Sequence, residues 1–410
     1  MKPIKPLFIA VLAIAVLTIF NACRKLVNTP ITSTTTGSTT STATTTPTVL
    51  QTTFGSNIDL TRLENYANQA VPRYINNDNT GGDPITDAAA TLGRVLFYDK
   101  NLSISNKIAC ASCHKQSMAF GDSLVQSIGA NGVTTRHSQR LVNARFAQEV
   151  RFFWDKRAAT LEDQTIQPIE NHNEMGYSGT NGDPDVTVLI AKLQAIGYYQ
   201  QLFKFVYGDS NITAVRLQAA LAQFIRSIQS FDSKFDAGLA QTGALNQDFA
   251  NFTAQENQGK ALFLGAPSPL NAAVVTGAGC QACHRAPTFD IDPNSKNNGI
   301  IGVAGSTTLI DLTNTNPPSL RNLLNPAGKA NGLYMHTGQF NNLPDVINHY
   351  NQIPVNAANT NLDPRLGRNG GGQNLRLSAA QKSAIIAFLG TLSGNDVYTN
   401  KKWSNPFINQ

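Results

Sequence analysis

Two pentapeptides of one pattern constrain this chain most: Cys110-Ala111-Ser112-Cys113-His114 and Cys280-Gln281-Ala282-Cys283-His284. Cys-x-x-Cys-His is the attachment pattern of a c-type haem. Its two thiols bond to the porphyrin edge and its imidazole reaches the iron as proximal ligand. Four of the chain's five cysteines sit in these motifs. The competing reading is a single zinc held by four thiolates. Knuckles that share one zinc usually lie much closer in sequence, and zinc gives no reason for a histidine after each second cysteine. A thioredoxin-like dithiol would come singly. Two irons on one chain predict redox chemistry rather than simple binding.

The N-terminus reads as an export signal. Lys2 and Lys5 precede an apolar run from Leu7 to Phe20, shorter than the ~20 residues that a membrane span needs. Ala22-Cys23 then resembles a bacterial lipoprotein cleavage site, which would make Cys23 the lipidated first residue of an exported, periplasmic, membrane-anchored chain. Phe20 and Asn21 depart from the usual residues there. A plain anchor, or a secretory signal with Cys23 left free, is the alternative. Residues 28–53 are dominated by Thr and Ser and carry too little apolar surface to fold. The expected division is a signal peptide at 1–22, a tether at 23–55, an N-terminal haem domain at 56–245 and a C-terminal haem domain at 246–410. Roughly 355 residues follow the tether, enough for two domains. The net charge of +6 precedes any haem propionates, so it points to no nucleic-acid partner.

Helical patterning dominates the rest. Leu92, Val95 and Leu96 mark a helix over 88–98, ahead of the first motif. Shorter candidates run over 161–169 and 186–193, and the longest over 213–237. Thr253 and Glu256 have capping-box spacing and open a helix reaching Leu264, ahead of the second motif. Ile385, Phe388, Leu389 and Leu392 place a last helix over 378–392. Strand-like alternation is scarce, and residues 265–279 and 351–373 read as long loops. Helix, CxxCH, loops and helices thus occur twice.

Several segments together carry a family resemblance over about residues 88–394. They are Leu92-Gly93-Arg94-Val95-Leu96-Phe97-Tyr98-Asp99, Phe153-Trp154-Asp155-Lys156-Arg157-Ala158, Glu174-Met175-Gly176, Pro318-Ser319-Leu320-Arg321-Asn322 and Tyr334-Met335-His336-Thr337-Gly338. In this order they resemble the bacterial di-haem cytochrome c peroxidases, a family that also contains the enzyme that matures tryptophylquinone. The resemblance implies a mostly α fold of two cytochrome-c-like haem domains with long loops. It implies that the N-terminal haem reacts with hydrogen peroxide. The C-terminal haem would take electrons from a small cytochrome c or cupredoxin. Glu174 matches the catalytic glutamate, whose carboxylate would move a proton between the peroxide oxygens. Trp154 matches a tryptophan between the haems, with core packing as its plain alternative. Asp155 and Arg157 read as an ion pair, and Lys156 stands where the family usually has glycine. Arg321 is expected to meet a propionate. His336 is placed near the second haem by the resemblance alone.

Two departures matter. A histidine that caps the peroxidatic iron in the well-known branch is replaced here by Ala130, after Gly129. His137 and His172 are the downstream candidates for its role. The methionine expected as distal ligand of the second iron is replaced by Tyr350, an anionic ligand that lowers reduction potential. Met335 and His349 compete for that position. The resemblance also implies calcium between the domains, partly through an Asn whose place His137 takes, although imidazole is a poor calcium ligand. A homodimer is left open. Hydrogen peroxide reduction to water is the expected activity. The alternatives are peroxide-dependent oxidation of a protein or organic substrate, favoured by Ala130 and Tyr350, and electron transfer without catalysis.

Overall fold

Side-chain caps set most helix starts. A capping box of Thr48 and Gln51 opens α1 (Val49–Phe54), and Thr86 accepts the Ala89 N–H to open α2 (Asp87–Tyr98). The first motif is itself the short helix α3 (Cys110–Cys113). Thr160 caps α4 (Leu161–Ile166) and Asp185 caps α5 (Val186–Gln194). α6 (Gly197–Tyr207) follows, and Thr213 caps α7 (Ala214–Ser227). Capping boxes at Ser233 and Thr253 open α8 (Lys234–Thr242) and α9 (Ala254–Leu264). Asn342 and Ser378 start α10 (Leu343–Asn351) and α11 (Ala379–Gly390), and α12 (Asp396–Thr399) comes last. Each such cap satisfies amide groups that the helix itself leaves unpaired. The structure, a computed structural model, describes residues 48–269, 271–367 and 372–409. The signal segment, the lipidation of Cys23 and the tether up to residue 47 lie outside the described residues.

The fold is mostly α. Among the described residues, β-structure is limited to isolated bridges and two antiparallel ribbons. These are β1 (His284–Arg285) with β2 (Asp290–Ile291), and β3 (Gln352–Ile353) with β4 (Gln373–Asn374). Two helix pairs organise it, α2 with α7 and α9 with α11. Both pairs close on a glycine. A Cβ on Gly93 would run into the Ala220 carbonyl, and one on Gly259 into the Ala384 carbonyl. Around each pair lies an apolar cluster. The first runs from Leu50 to Ile228 and takes in Val397, Trp403 and Phe407. The second runs from Phe235 to Leu392. A helix and its CxxCH motif thus belong to each cluster.

Three expectations need correction. The tether ends before residue 48, because α1 buries Leu50 and Phe54, and Phe54 stacks on Tyr198 and Phe407. The helix expected over 213–237 is two helices, since Ile228 turns extended and Ser233 starts α8 anew. A boundary at 245/246 would cut the second apolar cluster, because Phe235 on α8 packs against Phe249, Phe289 and Phe388. The helices α6 and α10 had not been expected.

Candidate functional site

The two motifs open into different cavities. Cys110, Cys113 and His114 line one together with Glu174, Met175 and Gly129. His114 and Glu174 also line an adjoining cavity that reaches Trp154. Cys280, Cys283 and His284 line a separate, larger cavity of about 380 Å³ with Met335, His336 and Tyr350. Among the described residues no group of three or more His, Cys, Asp and Glu side chains could hold a metal ion. The four thiols therefore do not converge, and the single-zinc reading falls. Burial pushes the Cys110 and Cys280 thiols up to about 12 and the Cys113 thiol to about 11, and it also raises that of Cys283.

The residues present fit a haem in each cavity. His114 Nδ1 donates to the Phe120 carbonyl at 3.0 Å, which leaves Nε2 as the coordinating nitrogen. His284 Nδ1 is buried without a partner. Burial holds both imidazoles neutral, His284 down to about 4 with Arg365 adding to the effect. Neutral imidazole is the form that binds iron.

On the first side, the Glu174 carboxyl faces the cavity and burial raises its pKa, with Arg157 opposing. Its segment is tied to the loop that carries Ala130. Ala130 N–H donates to the Glu174 carbonyl at 2.7 Å, and a Cβ on Gly129 would strike the Asn173 carbonyl. The residues lining this cavity include Gly129 from that loop. His172 is not among them; its Nδ1 donates to Asp183 at 2.8 Å. His137 borders the adjoining cavity, with its Nδ1 donating to the Leu124 carbonyl at 2.8 Å, and it is not among the residues that line the cavity of Cys110 and Cys113.

On the second side, the two distal candidates meet one amide. Asn298 Nδ2 donates to the Tyr350 hydroxyl at 3.0 Å and to Met335 Sδ at 3.3 Å. Burial pushes the Tyr350 phenol up to about 12, and the Asn298 bond opposes it. A phenolate there requires a cation beside it. His349 does not line the cavity; its Nε2 donates to the Asn298 carbonyl at 2.9 Å and so holds the amide in place. His336 lines the cavity, yet its Nε2 donates to Gly302 at 2.8 Å and its ring meets Trp154 edge-on at 5.9 Å. Asn298 went unnoticed in the sequence, as its role depends on a contact with α10.

Trp154 borders both the His114 and the His284 cavities. Its indole N–H donates to the His137 carbonyl at 2.8 Å, and its own carbonyl accepts from Thr315 and Asn316. Asp155 and Arg157 form the expected ion pair at 2.9 Å. Lys156 keeps φ at +59°, a conformation that glycine favours, and its Nζ bonds to Glu149 and to the Pro293 carbonyl. Arg321 does not line a haem cavity. It is fully buried and bidentate to Asp236 at 2.8 Å on both arms. Its expected propionate contact is therefore corrected, because its charge is already matched.

Two buried imidazoles, each beside paired thiols in its own cavity, define a c-type protein with two haems. The family model for di-haem cytochrome c peroxidase matches residues 87–244. The methylamine utilization protein MauG of Methylophilus methylotrophus is 30% identical over 319 residues, covering 76% of this chain and 84% of that protein. Cytochrome c551 peroxidase of Nitrosomonas europaea is 28% identical, covering 75% and 80%. A solved MauG-like protein associated with microbial copper homeostasis superposes with a TM-score of 0.65 at 26% identity, covering 83% and 99%. The di-haem peroxidase BthA from Burkholderia thailandensis superposes with a TM-score of 0.58 at 20% identity, covering 83% and 90%, and shares the fold. The chain belongs to the di-haem cytochrome c peroxidase family, and it carries two covalently bound haem c groups.

Proposed function

We propose that the chain reduces hydrogen peroxide to water at its N-terminal haem, with electrons entering through its C-terminal haem. The observation that carries this reading is the cavity that joins His114 to a buried Glu174 and presents no imidazole on the Gly129–Ala130 loop. The haem, when bound, supplies electrons to the O–O bond. Glu174 takes a proton from one peroxide oxygen and returns it to the other, which leaves as water. Burial suits it to that exchange, since a raised pKa narrows the gap between the ionised form that accepts a proton and the neutral form that releases one. Trp154, in the wall between the cavities, carries electrons from the second haem. His114 and His284 are the proximal ligands. Tyr350 is the distal ligand of the second iron, with Met335 as its rival. Two haem domains divide this work. The donor is a small cytochrome c or cupredoxin met after export to the periplasm, where Cys23 anchors the chain through lipid. Among the described residues no helix is long and apolar enough to cross a membrane.

The test is Glu174→Gln in haem-loaded protein. Turnover of peroxide with a reduced cytochrome should fall by roughly two to four powers of ten, with haem content unchanged. Near-normal turnover would remove Glu174 from the chemistry and favour simple electron transfer.

A second reading has a specific observation behind it. Tyr350 lies in the second cavity, oriented by Asn298, where an anionic ligand would favour storing oxidising equivalents over delivering electrons. In that reading peroxide drives oxidation of a protein or organic substrate. Turnover with such substrates, exceeding turnover with any reduced cytochrome, would select it.

A further inference from the structure

Arg140 is a cation set between the two haem cavities with no counter-ion. It borders both the His114 and the His284 cavities. Among the described residues no carboxylate comes within ion-pair distance of it. The ionisable groups that interact with it are the phenols of Tyr334 and Tyr398 and the imidazole of His137, while burial disfavours its charge. Its Nε is sealed from solvent without a partner. Its Nη2 makes a long bond of 3.3 Å to the Ser319 carbonyl. Its stem lies on Gly121, where a Cβ would meet the Arg140 Cγ. Three other arginines that line the cavities differ: Arg136 pairs with Asp311 and Asp155, Arg157 with Asp155, and Arg365 with Asp363. An unpaired charge taken out of water is strongly unfavourable, and guanidinium keeps its proton at any working pH.

We propose that Arg140 is a propionate-binding residue shared by the two haems, and that its charge eases reduction of both. The inference rests on the two covalent haems and not on peroxide turnover. A guanidinium offers five donors in a rigid fork matched to carboxylates. From this wall it can take a propionate carboxylate on each side. A positive charge near both irons favours the reduced state of each, and low-dielectric surroundings extend its reach.

The experiment is a reductive titration of the haem-loaded chain, without peroxide, for wild type, Arg140→Met and Arg140→Lys. Thioether bonds keep both haems in place whatever occupies position 140. In Arg140→Met, the reduced-to-oxidised ratio at a fixed applied potential should fall about tenfold at each haem, equal to about 59 mV for a one-electron couple. Arg140→Lys should recover most of that loss. Unchanged potentials would overturn the proposal, and a fall at one haem alone would overturn the sharing. A lysine variant that behaves like the methionine variant, or an altered axial-ligand spectrum beside the shift, would assign Arg140 to packing instead.

Discussion

Glu174 shows how one side chain's surroundings set its use. Its carboxyl belongs to a loop, where a solvated glutamate is the ordinary outcome, yet burial in the first cavity raises its pKa. The ionised form is needed to accept the peroxide proton. That form is lost as pH falls through the raised value. The rate of reaction with peroxide should therefore decline on the acid side at a pH above the usual carboxylate range. Stopped-flow mixing across pH checks this, and the acid limb should vanish in Glu174→Gln. A limb that survives in the variant would belong to another group. At the second haem, Tyr350→Phe should alter that haem's ferric spectrum and leave the first nearly untouched. A far-red charge-transfer band typical of His/Met ligation, already present in the wild type, would instead give the place to Met335. The attachment motifs were legible as a local pattern, while Glu174 and Tyr350 stood out only through the family resemblance. Asn298 and Arg140 were legible in neither way. Asn298 matters through Tyr350 and Met335, both remote in sequence. Arg140 matters through a partner it lacks.

At the scale of elements, the chain repeats one contact. α2 meets α7 over Gly93, and α9 meets α11 over Gly259. The period of apolar residues marks three of these helices and a capping box marks α9, but their pairing depends on close backbone approach, which neither signal reports. α1 was hidden because its Thr-rich surroundings resemble linker, and two buried side chains are too few to show a period. Helix propensity alone predicts that Gly259→Ala stabilises by about 1 kcal/mol. The Ala384 carbonyl predicts the opposite, an overpacking cost of about 1–3 kcal/mol. Denaturant unfolding of the haem-loaded protein decides between the signs, and a stabilised variant would mean the helices can part freely. The break between α7 and α8 has its own energetics. Ser233 closes a capping box with Asp236, and Asp236 grips Arg321. Burial opposes ionisation of Asp236, but Arg321 outweighs it and holds the carboxyl below its ordinary range. The stabilisation is thus complete above that range and is lost as pH falls through the depressed value. Asp236→Asn should cost about 3–5 kcal/mol by leaving Arg321 buried and unmatched, and its unfolding should depend less steeply on acid than that of the wild type, the other depressed carboxylates keeping their share.

Across the whole molecule, the two haem cavities share a wall built from residues 137–140, Trp154, Pro317 and Pro318. Whatever passes between the irons meets this wall. Trp154→Phe should preserve peroxide binding while slowing the arrival of electrons from the second haem, and an unchanged inter-haem rate would leave the indole as packing. In the proposed function, however, peroxide access depends on the first cavity alone. Where a histidine caps the peroxidatic iron, reduction of the other haem must first release it, so the two sites are coupled before any chemistry begins. In this chain that loop brings Gly129 and Ala130, and the backbone bond from Ala130 to Glu174 holds the loop against the acid–base residue. An alanine methyl cannot bind iron. Neither His172 nor His137 lines the cavity of Cys110, Cys113 and Glu174. The first haem should therefore be five-coordinate, or hold only water, in the fully oxidised protein. Its EPR spectrum should show high-spin ferric iron, beside a low-spin signal from the second haem. Peroxide should react with the oxidised protein at once, and prior reduction with one electron should not raise the rate of that first step. A low-spin bis-histidine signal at the first haem, with peroxide reactivity appearing only after reduction, would mean that one of these two imidazoles enters the first cavity and restores the coupling.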